Sequence, residues 1–550
     1  RYDIVYGDVM LNFNYNIRRF DIAATLGWTG RYENMNNMRV STNGGLVTEN
    51  WFDLNASRYT ASSTLQRMEL LKTGYMGTLS LGWDNYLFLE LTGRQERSST
   101  LKDKSFFYPS ANLSFLFSNA FRMPAWWNHG KLRLSYGIVG NAPETYAANI
   151  IYEQGSDNGF TWNYVPSSWG NANIRPEKKY EYEIGLESKF LNNRLGFDVS
   201  YYNNRVKDQI LSTPQPSSSG VKYVLMNVGE VANEGWDISV SATPVLTKNF
   251  RWDLTANYGI YRNKVVKLAE GVPYLEISNI GGGGAKIQAV EGRPMGDIYV
   301  QMPQMNENGD YLVSDKGLYL NQTDLQRVGN INPDGVGGLF SSFSYKNIFL
   351  DFSIDFRIGG DVINEMYQYS TASGLTPESL QYRDTEHGGL SYYYPGNNNA
   401  SGTPVQVDPS SGAGPNGEII YHDGIILPGV VASTGEKNTR IIPAGYYYNQ
   451  TYNWGTQPEQ LTYRHSVFDN TYVKLRELTI GYQFPEKLTA KLGMTRLSVS
   501  IFGRNLFYFY KALKNYDAES SVGTSWASQA VVGGSTTATR NFGVSLRASF

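Results

Sequence analysis

Cysteine is absent from this sequence of 550 residues. That absence excludes a disulfide scaffold, a thiolate metal site and a cysteine nucleophile. An excess of charge is lacking as well, because 48 Lys and Arg against 50 Asp and Glu leave a formal net charge of -2. A nucleic-acid binder would show a basic stripe, and a disordered acidic chain would lack the aromatic residues present here.

Long hydrophobic runs are also missing. None approaches the ~18–20 apolar residues of a membrane helix, and the mean hydropathy is -0.39. This test is blind to membrane barrels, whose strands carry a weaker signal. The chain opens RYDIVYGDVM, without an initiator Met or a signal-peptide pattern. Because it opens inside a strand-like alternation, we expect an N-terminal portion to be missing from this chain.

Tyrosine and glycine are abundant, with 41 Tyr, 56 Gly, 25 Phe and 11 Trp. Tyr and Trp favour places where one end of the side chain is in apolar surroundings and the other is wet. This composition is typical of a protein with many strands and turns. Composition alone does not exclude a large soluble β protein.

Strict alternation of apolar and polar residues recurs along the chain, over about ten residues each time. Near the C-terminus, Phe542, Val544 and Leu546 alternate with Gly543 and Ser545. Successive side chains of a strand point to opposite faces, so each such strand has one apolar and one polar face. The same pattern occurs at 9–17, 195–202, 236–243, 252–261 and 348–358.

Segment length and aromatic placement favour a barrel in lipid over a soluble sandwich. The segments run about 9–14 residues, whereas globular strands average ~5–6 and a tilted membrane strand needs ~9–11. Aromatic residues near the ends of the runs are placed as interfacial girdles would be. These residues are Trp28, Trp83, Trp236, Trp252 and Tyr482.

The connections between segments alternate between short and long. Short ones near 191–194, 246–249 and 346–347 predict hairpin turns. Short turns on one rim and long external loops on the other are typical of outer-membrane barrels. We count roughly 16–18 strand segments and no dividing linker, so residues 1–550 are predicted to form one partial barrel. Its long extracellular loops are expected near 29–67, 141–178, 263–297, 302–337 and 360–468.

Several short motifs follow one another along the chain. They lie at 93–101 with 107–111, 131–137 with 140–141, 176–186, 227–229 with 233–236, 329–333 with 337–338, and 469–477 with 503–506. Together these motifs resemble SusC/RagA-type TonB-dependent transporters of Bacteroidota, over most of residues 68–550.

The resemblance implies an all-β fold, a transmembrane antiparallel β-barrel of 22 strands. The family's N-terminal plug, and the first few strands, are not visible in this chain. The implied function is uptake of oligosaccharides or peptides across the outer membrane beneath a SusD-like surface lipoprotein. The TonB–ExbB–ExbD complex would supply energy through the missing N-terminal part. Lipid and lipopolysaccharide would surround the barrel, two SusC–SusD pairs could dimerise, and no nucleic-acid partner is expected.

No catalytic or cofactor pattern stands out, so we expect neither enzyme activity nor a cofactor. The four histidines lack the paired spacing of a zinc helix, and residues 281–286 lack the spacing of a phosphate loop and are predicted to form a flexible loop. Residues 306–310 with Asp315 weakly resemble a calcium loop that lacks its closing Glu. Glu181, Glu183 and Glu187 share one strand face, where a wet barrel wall would carry acids anyway.

The long loops carry the candidate ligand-binding residues. Aromatic faces can stack on sugar rings or pack on peptide side chains. Loop packing or an interfacial girdle is the alternative reading for each of them. The candidates are Trp162, Trp169, Tyr392, Tyr393, Tyr446, Tyr447 and Trp454.

Two other functions stay open from sequence alone. A surface adhesin without transport activity would be built from shorter strands with turns every ~8–12 residues. An outer-membrane barrel enzyme would need a Ser/His or paired-acid constellation. If the rows of Leu, Val and Phe packed against a second layer of protein, the importer hypothesis would be wrong.

Overall fold

Strands dominate the secondary structure, as the alternation predicts. The structure is a computed structural model, and it describes residues 1–101, 105–157, 160–398, 400, 402–453, 463–534 and 538–550. Among the helices in these residues, none is long and apolar enough to span a membrane. The chain divides into two compact units: Arg1–Ala242 with Tyr261–Pro273, and Thr243–Ile260 with Tyr274–Phe550.

In the first unit, each long strand pairs antiparallel with the next one along the chain. The last of these strands, β9, belongs to this unit as far as Ala242. The strands are β1 (Tyr2–Ile17), β2 (Phe20–Leu46), β3 (Ser57–Trp83), β4 (Leu87–Ser98), β5 (Ser105–Phe115), β6 (Trp127–Asn141), β7 (Glu177–Phe190), β8 (Leu195–Lys207) and β9 (Glu230–Leu246).

The pairing register of the first unit carries the apolar side chains into continuous rows. Residues directly opposite one another in a ladder lie on the same face of the sheet. The neighbouring row on the other face is mostly polar, and includes Asn14, Ser80, Glu90, Asn112 and Glu183. One apolar row crosses all nine strands: Tyr15, Ile22, Leu81, Leu89, Leu113, Leu134, Ile184, Tyr201 and Trp236.

The second unit repeats this arrangement with six strands, again each paired with the next. One of its apolar rows consists of Trp252, Phe343, Leu350, Ile480, Ile501 and Val544. The strands are β10 (Phe250–Lys267), β11 (Gly335–Tyr345), β12 (Ile348–Ile358), β13 (Tyr472–Gln483), β14 (Arg496–Lys511) and β15 (Asn541–Ser549).

The side chains of the two listed apolar rows are exposed or half-buried, and none of them is buried. Leu26 of the first unit is 57% exposed, and in the second unit Ile501 and Val544 are 65% and 71% exposed. Within each unit, no second layer of the described residues covers these side chains. Large exposed apolar surfaces of this kind mark contact with another phase or partner, so the condition that would have refuted the importer hypothesis is not met.

The buried cores lie instead in the connections between long strands. The largest core, in the second unit, contains Ile287, Ile298, Val300, Ile363 and Tyr463, none of which is exposed. Three short strands of its four-stranded sheet contribute to this core: Tyr274–Ile280, Ala285–Val290 and Asp297–Val300, with Gln326–Asn330 as the fourth. The connections therefore fold around their own apolar centres and are not structureless.

Short elements complete both units. The first unit has strands Glu153–Asp157 with Phe160–Tyr164, and Ser168–Trp169 with Ile210–Pro214 and Tyr223–Asn227, besides a one-turn helix Phe117–Ala120. The second unit has helices Glu365–Ala372, Pro395–Asn398, Ala444–Tyr452 and Glu486–Thr489. Its remaining strands are Leu312–Val313 with Val430–Val431; Asp361–Asn364 with Val467–Asp469 and Val531–Val532; and Leu390–Tyr393 with Val405–Gln406, Tyr421–Ile425 and Ile442–Pro443.

In the residues that the structure describes, there are fifteen long strands, against the roughly 16–18 predicted. Two of the segments counted from the sequence, near 221–229 and 296–301, form only Tyr223–Asn227 and Asp297–Val300, which pair within small local sheets. The expected loops at 263–297 and 302–337 consequently belong to one connection, from Lys267 to Gly335. Apolar alternation alone does not distinguish a short buried strand from a long one.

The expected loop at 29–67 is mostly strand. β2 continues to Leu46 and β3 begins at Ser57, so only residues 47–56 separate them. Their paired extension is largely polar on both faces, with Asn36 opposite Arg67 and Asn37 opposite Gln66, and Met38 opposite Leu65 as an isolated apolar pair. A hairpin that is wet on both sides has no apolar alternation by which it could be recognised.

Tight turns fall where the sequence predicts them. β7 and β8 are joined by residues 191–194, β9 and β10 by residues 247–249, and β11 and β12 by Lys346 and Asn347. Residues 281–286, predicted to be a flexible loop, instead hold a turn at Gly281–Gly283 between two paired strands. Gly282 adopts a positive φ of 71° there, which glycine accepts without steric cost.

An arginine on the apolar face will destabilise the protein, whereas one on the polar face will be tolerated. We predict that Leu26→Arg lowers the free energy of unfolding in lipid by about 2–4 kcal/mol, because the guanidinium enters hydrocarbon. Thr25→Arg, one residue away on the other face, is the matched control. Urea unfolding in lipid vesicles measures both, and equal stabilities of the two variants would contradict the assignment of faces.

Candidate ligand-binding surfaces

Trp162 and Trp169 lie in the first unit, in different environments. Trp162 is in the middle of the exposed strand Phe160–Tyr164 and is 48% exposed. Trp169 is half-buried in the strand Ser168–Trp169, with its ring centroid 6.0 Å from that of Tyr152. Trp162 is therefore available to a ligand, whereas Trp169 packs at the base of the hairpin that carries Trp162.

Tyr392 and Tyr393 belong to the strand Leu390–Tyr393 of the second unit. Tyr392 is 1% exposed, stacks on Tyr421 at 5.5 Å and donates a hydrogen bond of 3.1 Å to Asp423 Oδ1. Burial, followed by the charge of Asp423, raises the pKa of Tyr392. Tyr393 is half-buried and pairs with Val405. The burial of Tyr392 therefore favours loop packing over ligand binding for this residue. Of the two side chains, only Tyr393 has an accessible edge.

Tyr446 and Tyr447 lie in the first turn of the helix Ala444–Tyr452, also in the second unit. Together with Tyr319 and Tyr382 they pack on a core of Leu318, Ile425, Leu427 and Ile442. We call the four tyrosines, Tyr319, Tyr382, Tyr446 and Tyr447, the tyrosine cluster. Burial raises the pKa of Tyr447, so its hydroxyl stays protonated and can donate hydrogen bonds. The remaining candidate, Trp454, lies outside the described residues.

Arg464 and His465 adjoin the tyrosine cluster. The Arg464 guanidinium lies 5.7 Å from the ring centroid of Tyr319, and its buried Nη1 has no hydrogen-bond partner. Arg464 Nε donates to His465 Nε2 at 2.8 Å. Loss of hydration, and then the positive charge of Arg464, lower the pKa of His465 to about 4. The imidazole is therefore neutral at physiological pH, which suits its acceptor role.

Sequence reasoning missed several neighbours of these candidates. Phe160 lies two residues before Trp162, and this alternation of aromatic residues within a loop was a readable signal. Tyr319 and Tyr382 join Tyr446 and Tyr447 from distant parts of the chain. No local pattern could have found them, because only the tertiary fold brings them together.

The weak calcium-loop pattern proves to be a side-chain-capped turn. Asn306 Oδ1 accepts hydrogen bonds from the backbone N–H groups of Asn308 and Asp310, at 3.0 and 2.9 Å. Asp315 accepts from Ser433 Oγ at 2.6 Å, away from that turn. Across the part of the chain that the structure describes, no three His, Asp or Glu side chains converge as metal ligands.

Two of the acidic residues on β7 form ion pairs with neighbouring cations. Glu187 lies 3.6 Å from Arg133 and 3.4 Å from Lys189. Glu181 lies 2.5 Å from Lys179. Carboxylates paired in this way stabilise a polar strand face, and nothing in their arrangement singles out an acid–base pair.

A more extensive ionic cluster ties a loop of the second unit to its strands. Lys474 on β13 has a 2% exposed side chain, 2.5 Å from Glu519, with its ammonium 4.7 Å from the Tyr508 ring centroid. Arg476, also on β13, binds Glu519 at 2.6 Å and contacts Asp355 of β12. Glu519 lies in the connection between β14 and β15. The cluster thus fastens that connection to the polar face of the sheet.

Residues 1–290 match the family model described as TonB dependent receptor-like, beta-barrel. The chain is 23% identical to TonB-dependent receptor P3 of Formosa agariphila over 483 residues, which is 82% of this chain and 42% of that protein. It is 27% identical to TonB-dependent receptor SusC of Bacteroides thetaiotaomicron over 247 residues, 41% of this chain and 24% of that protein. The chain thus spans less than half the length of these relatives.

Solved structures show the same fold. The structure of the RagAB peptide transporter aligns over 100% of this chain and 56% of its own, with a TM-score of 0.71 and 18% identity. The open-open state of the RagAB peptide importer aligns with a TM-score of 0.69, 18% identity, and coverage of 100% and 55%. The predicted fold class, an all-β membrane barrel, and the resemblance to SusC/RagA-type proteins are both confirmed.

Acidification will loosen the loop that carries His465. Because its folded pKa of about 4 lies below the ordinary 6.5, the stability gained from the neutral ring is complete above pH 6.5. It is lost as the pH falls towards 4. We predict that the near-ultraviolet tyrosine signal declines over this window and that His465→Gln flattens the decline. An imidazole NMR titration midpoint near 6.5 for His465 would contradict this expectation.

Removing Glu519 will leave a buried cation without its partner. We predict that Glu519→Gln lowers the free energy of unfolding by about 3 kcal/mol, because the buried Lys474 ammonium then loses its carboxylate partner. The double variant Lys474→Met/Glu519→Gln will recover much of that loss. Denaturant unfolding of both variants in detergent makes the comparison. A double variant no more stable than the single one would show that the ion pair is not the cause.

Proposed function

This chain belongs to the TonB dependent receptor-like β-barrel family, and on that basis we propose that it forms the wall of a SusC-like importer in the cell outer membrane. The apolar rows would face lipid and lipopolysaccharide, and the polar rows would line the passage. The family is one of receptors and transporters, and we propose no enzymatic activity and no cofactor for this chain. The part of the protein that binds TonB would lie outside these 550 residues.

The observation that carries this proposal is that the rows of apolar side chains are exposed or half-buried, with no member buried. A soluble protein would bury them, since Leu, Val and Phe gain about 1.5–3 kcal/mol each on leaving water. In a bilayer the same rows meet acyl chains, while paired strands satisfy every backbone polar group. The long strands and the folded outer connections agree with that placement.

We further propose that the substrate is an oligosaccharide or a peptide, taken up beneath a SusD-like surface lipoprotein. The RagAB structure is titled a peptide transporter, and SusC is among the relatives of this chain. TonB, through ExbB and ExbD, would supply the energy, because the outer membrane has no ATP. Two such importer–lipoprotein pairs could assemble as a dimer.

Loss of the protein will abolish uptake, and so will loss of TonB. We predict that a deletion strain does not grow on the cognate oligosaccharide or peptide as sole nutrient, and that TonB depletion reproduces the defect. Growth on a monosaccharide or free amino acids that diffuse through porins is the control. A surface adhesin predicts the opposite: cells still bind the nutrient, and its uptake is unchanged by either deletion.

A further inference from the structure

The hairpin formed by Glu153–Asp157 and Phe160–Tyr164 presents three aromatic side chains on one face. Because alternate residues of a strand share a face, Phe160, Trp162 and Tyr164 form a single row. They are 77%, 48% and 44% exposed. The Cα atoms of successive members are spaced ~6.8 Å apart along the strand. We call this row the aromatic face, and it is a platform long enough for more than one ring of a bound ligand.

The opposite strand is shaped to fit the central ring. Gly155 pairs with Trp162, and a Cβ added at Gly155 would lie 2.7 Å from the indole. Any other residue at that position would push the indole away from the hairpin. Glycine therefore lets the ring lie against the backbone of the neighbouring strand, which limits the mobility of an otherwise exposed side chain.

The base of the hairpin is held by a second aromatic contact. Tyr152 directly precedes the hairpin and meets Trp169 edge to face, with an interplanar angle of 72°. The strand that contains Trp169 pairs with Tyr223–Asn227. A two-stranded hairpin alone is only marginally stable in water, so Trp169 acts as a positioning residue for the aromatic face.

The charge of the segment restricts the ligand. Residues 150–169 contain Glu153 and Asp157 and no Lys, Arg or His. Glu153 pairs with Tyr164, and its hydrogen bond raises the pKa of the Tyr164 hydroxyl. No cation within residues 150–169 could compensate a ligand carboxylate, sulfate or phosphate, and the adjoining Lys222 is joined to the segment through its backbone N–H, which donates to Ser167 O. Uncharged sugars, by contrast, offer apolar C–H faces to the rings and hydroxyl donors to the carboxylate.

We propose that the aromatic face binds neutral oligosaccharides by ring stacking. For its biological role this inference rests on the proposed import function, and it narrows the substrate class to uncharged glycans. The binding step itself does not require transport. The structure assigns Phe160, Trp162 and Tyr164 to direct contact, and Trp169 to holding the hairpin in place.

Binding to the purified protein in detergent tests the inference. The probes are gluco-, manno- and galacto-hexasaccharides, with a galacturonate hexasaccharide as the charged comparison. We expect calorimetric binding of at least one neutral probe and none of the uronate. The triple variant Phe160→Ala/Trp162→Ala/Tyr164→Ala should weaken that binding at least tenfold. Thr161→Ala/Asn163→Ala, on the opposite face of the same hairpin, should change it less than twofold.

Three results would overturn the inference. The first is that no neutral hexasaccharide binds the unaltered protein, and the second is that the triple variant binds as tightly as the double control. In the third, the triple variant keeps its hexasaccharide affinity but no longer retains a surface lipoprotein during purification. That result would assign the aromatic face to a protein partner.

Uptake assays on the same strains separate this inference from the proposed function. TonB-dependent uptake combined with unchanged binding in the triple variant would refute the sugar-binding face and leave the importer intact. Hexasaccharide binding that depends on the aromatic face, without any TonB-dependent uptake, would refute the importer and leave the sugar-binding face intact.

Discussion

Backbone pairing and side-chain register together impose the main constraint on this molecule. A strand in hydrocarbon must satisfy all its N–H and C=O groups through neighbouring strands, because no water is available. The same pairing decides which side chains stand side by side. In each unit the register places apolar residue beside apolar residue, as in the row from Tyr15 to Trp236. A shift by one residue in any strand would turn that strand's polar side chains towards lipid.

The connections between the long strands are stabilised by interactions other than strand pairing. They have their own buried apolar cores, such as the one around Ile298 and Tyr463. They are fastened to the strands by ion pairs, such as those of Glu519 with Lys474 and Arg476. Because the connections have their own cores, their sequence can vary while the paired strands keep the same arrangement. The aromatic residues of the protein accordingly serve three purposes: contact with lipid, packing within the connections, and display on the hairpin that carries Trp162.

Sequence reasoning predicted the structure correctly where the two faces of a strand have different surroundings, because apolar and polar residues then alternate. The long strands and their tight turns follow from alternation, since one face meets lipid and the other water. It failed where both faces are wet, as in the extension of β2 and β3 around Asn36 and Arg67. It also failed where distant residues come together, as in the tyrosine cluster, because the packing of Tyr319 and Tyr446 on the same core is a property of the tertiary fold. Tyr392 carried the same sequence signal as Trp162, yet the structure buries one and exposes the other.

Site-directed spin labelling tests the central claim most directly, and the absence of cysteine makes this chain well suited to it. Single cysteines would replace Ile22, Ala23, Ala24, Thr25 and Leu26 of β2 in turn, with the protein in lipid vesicles. The account predicts that labels at 22, 24 and 26 are accessible to oxygen, which concentrates in lipid. Labels at 23 and 25 should instead be accessible to a water-soluble nickel chelate. Labels at 22, 24 and 26 that are shielded from both reagents would mean that protein covers the apolar face, and the account would be wrong.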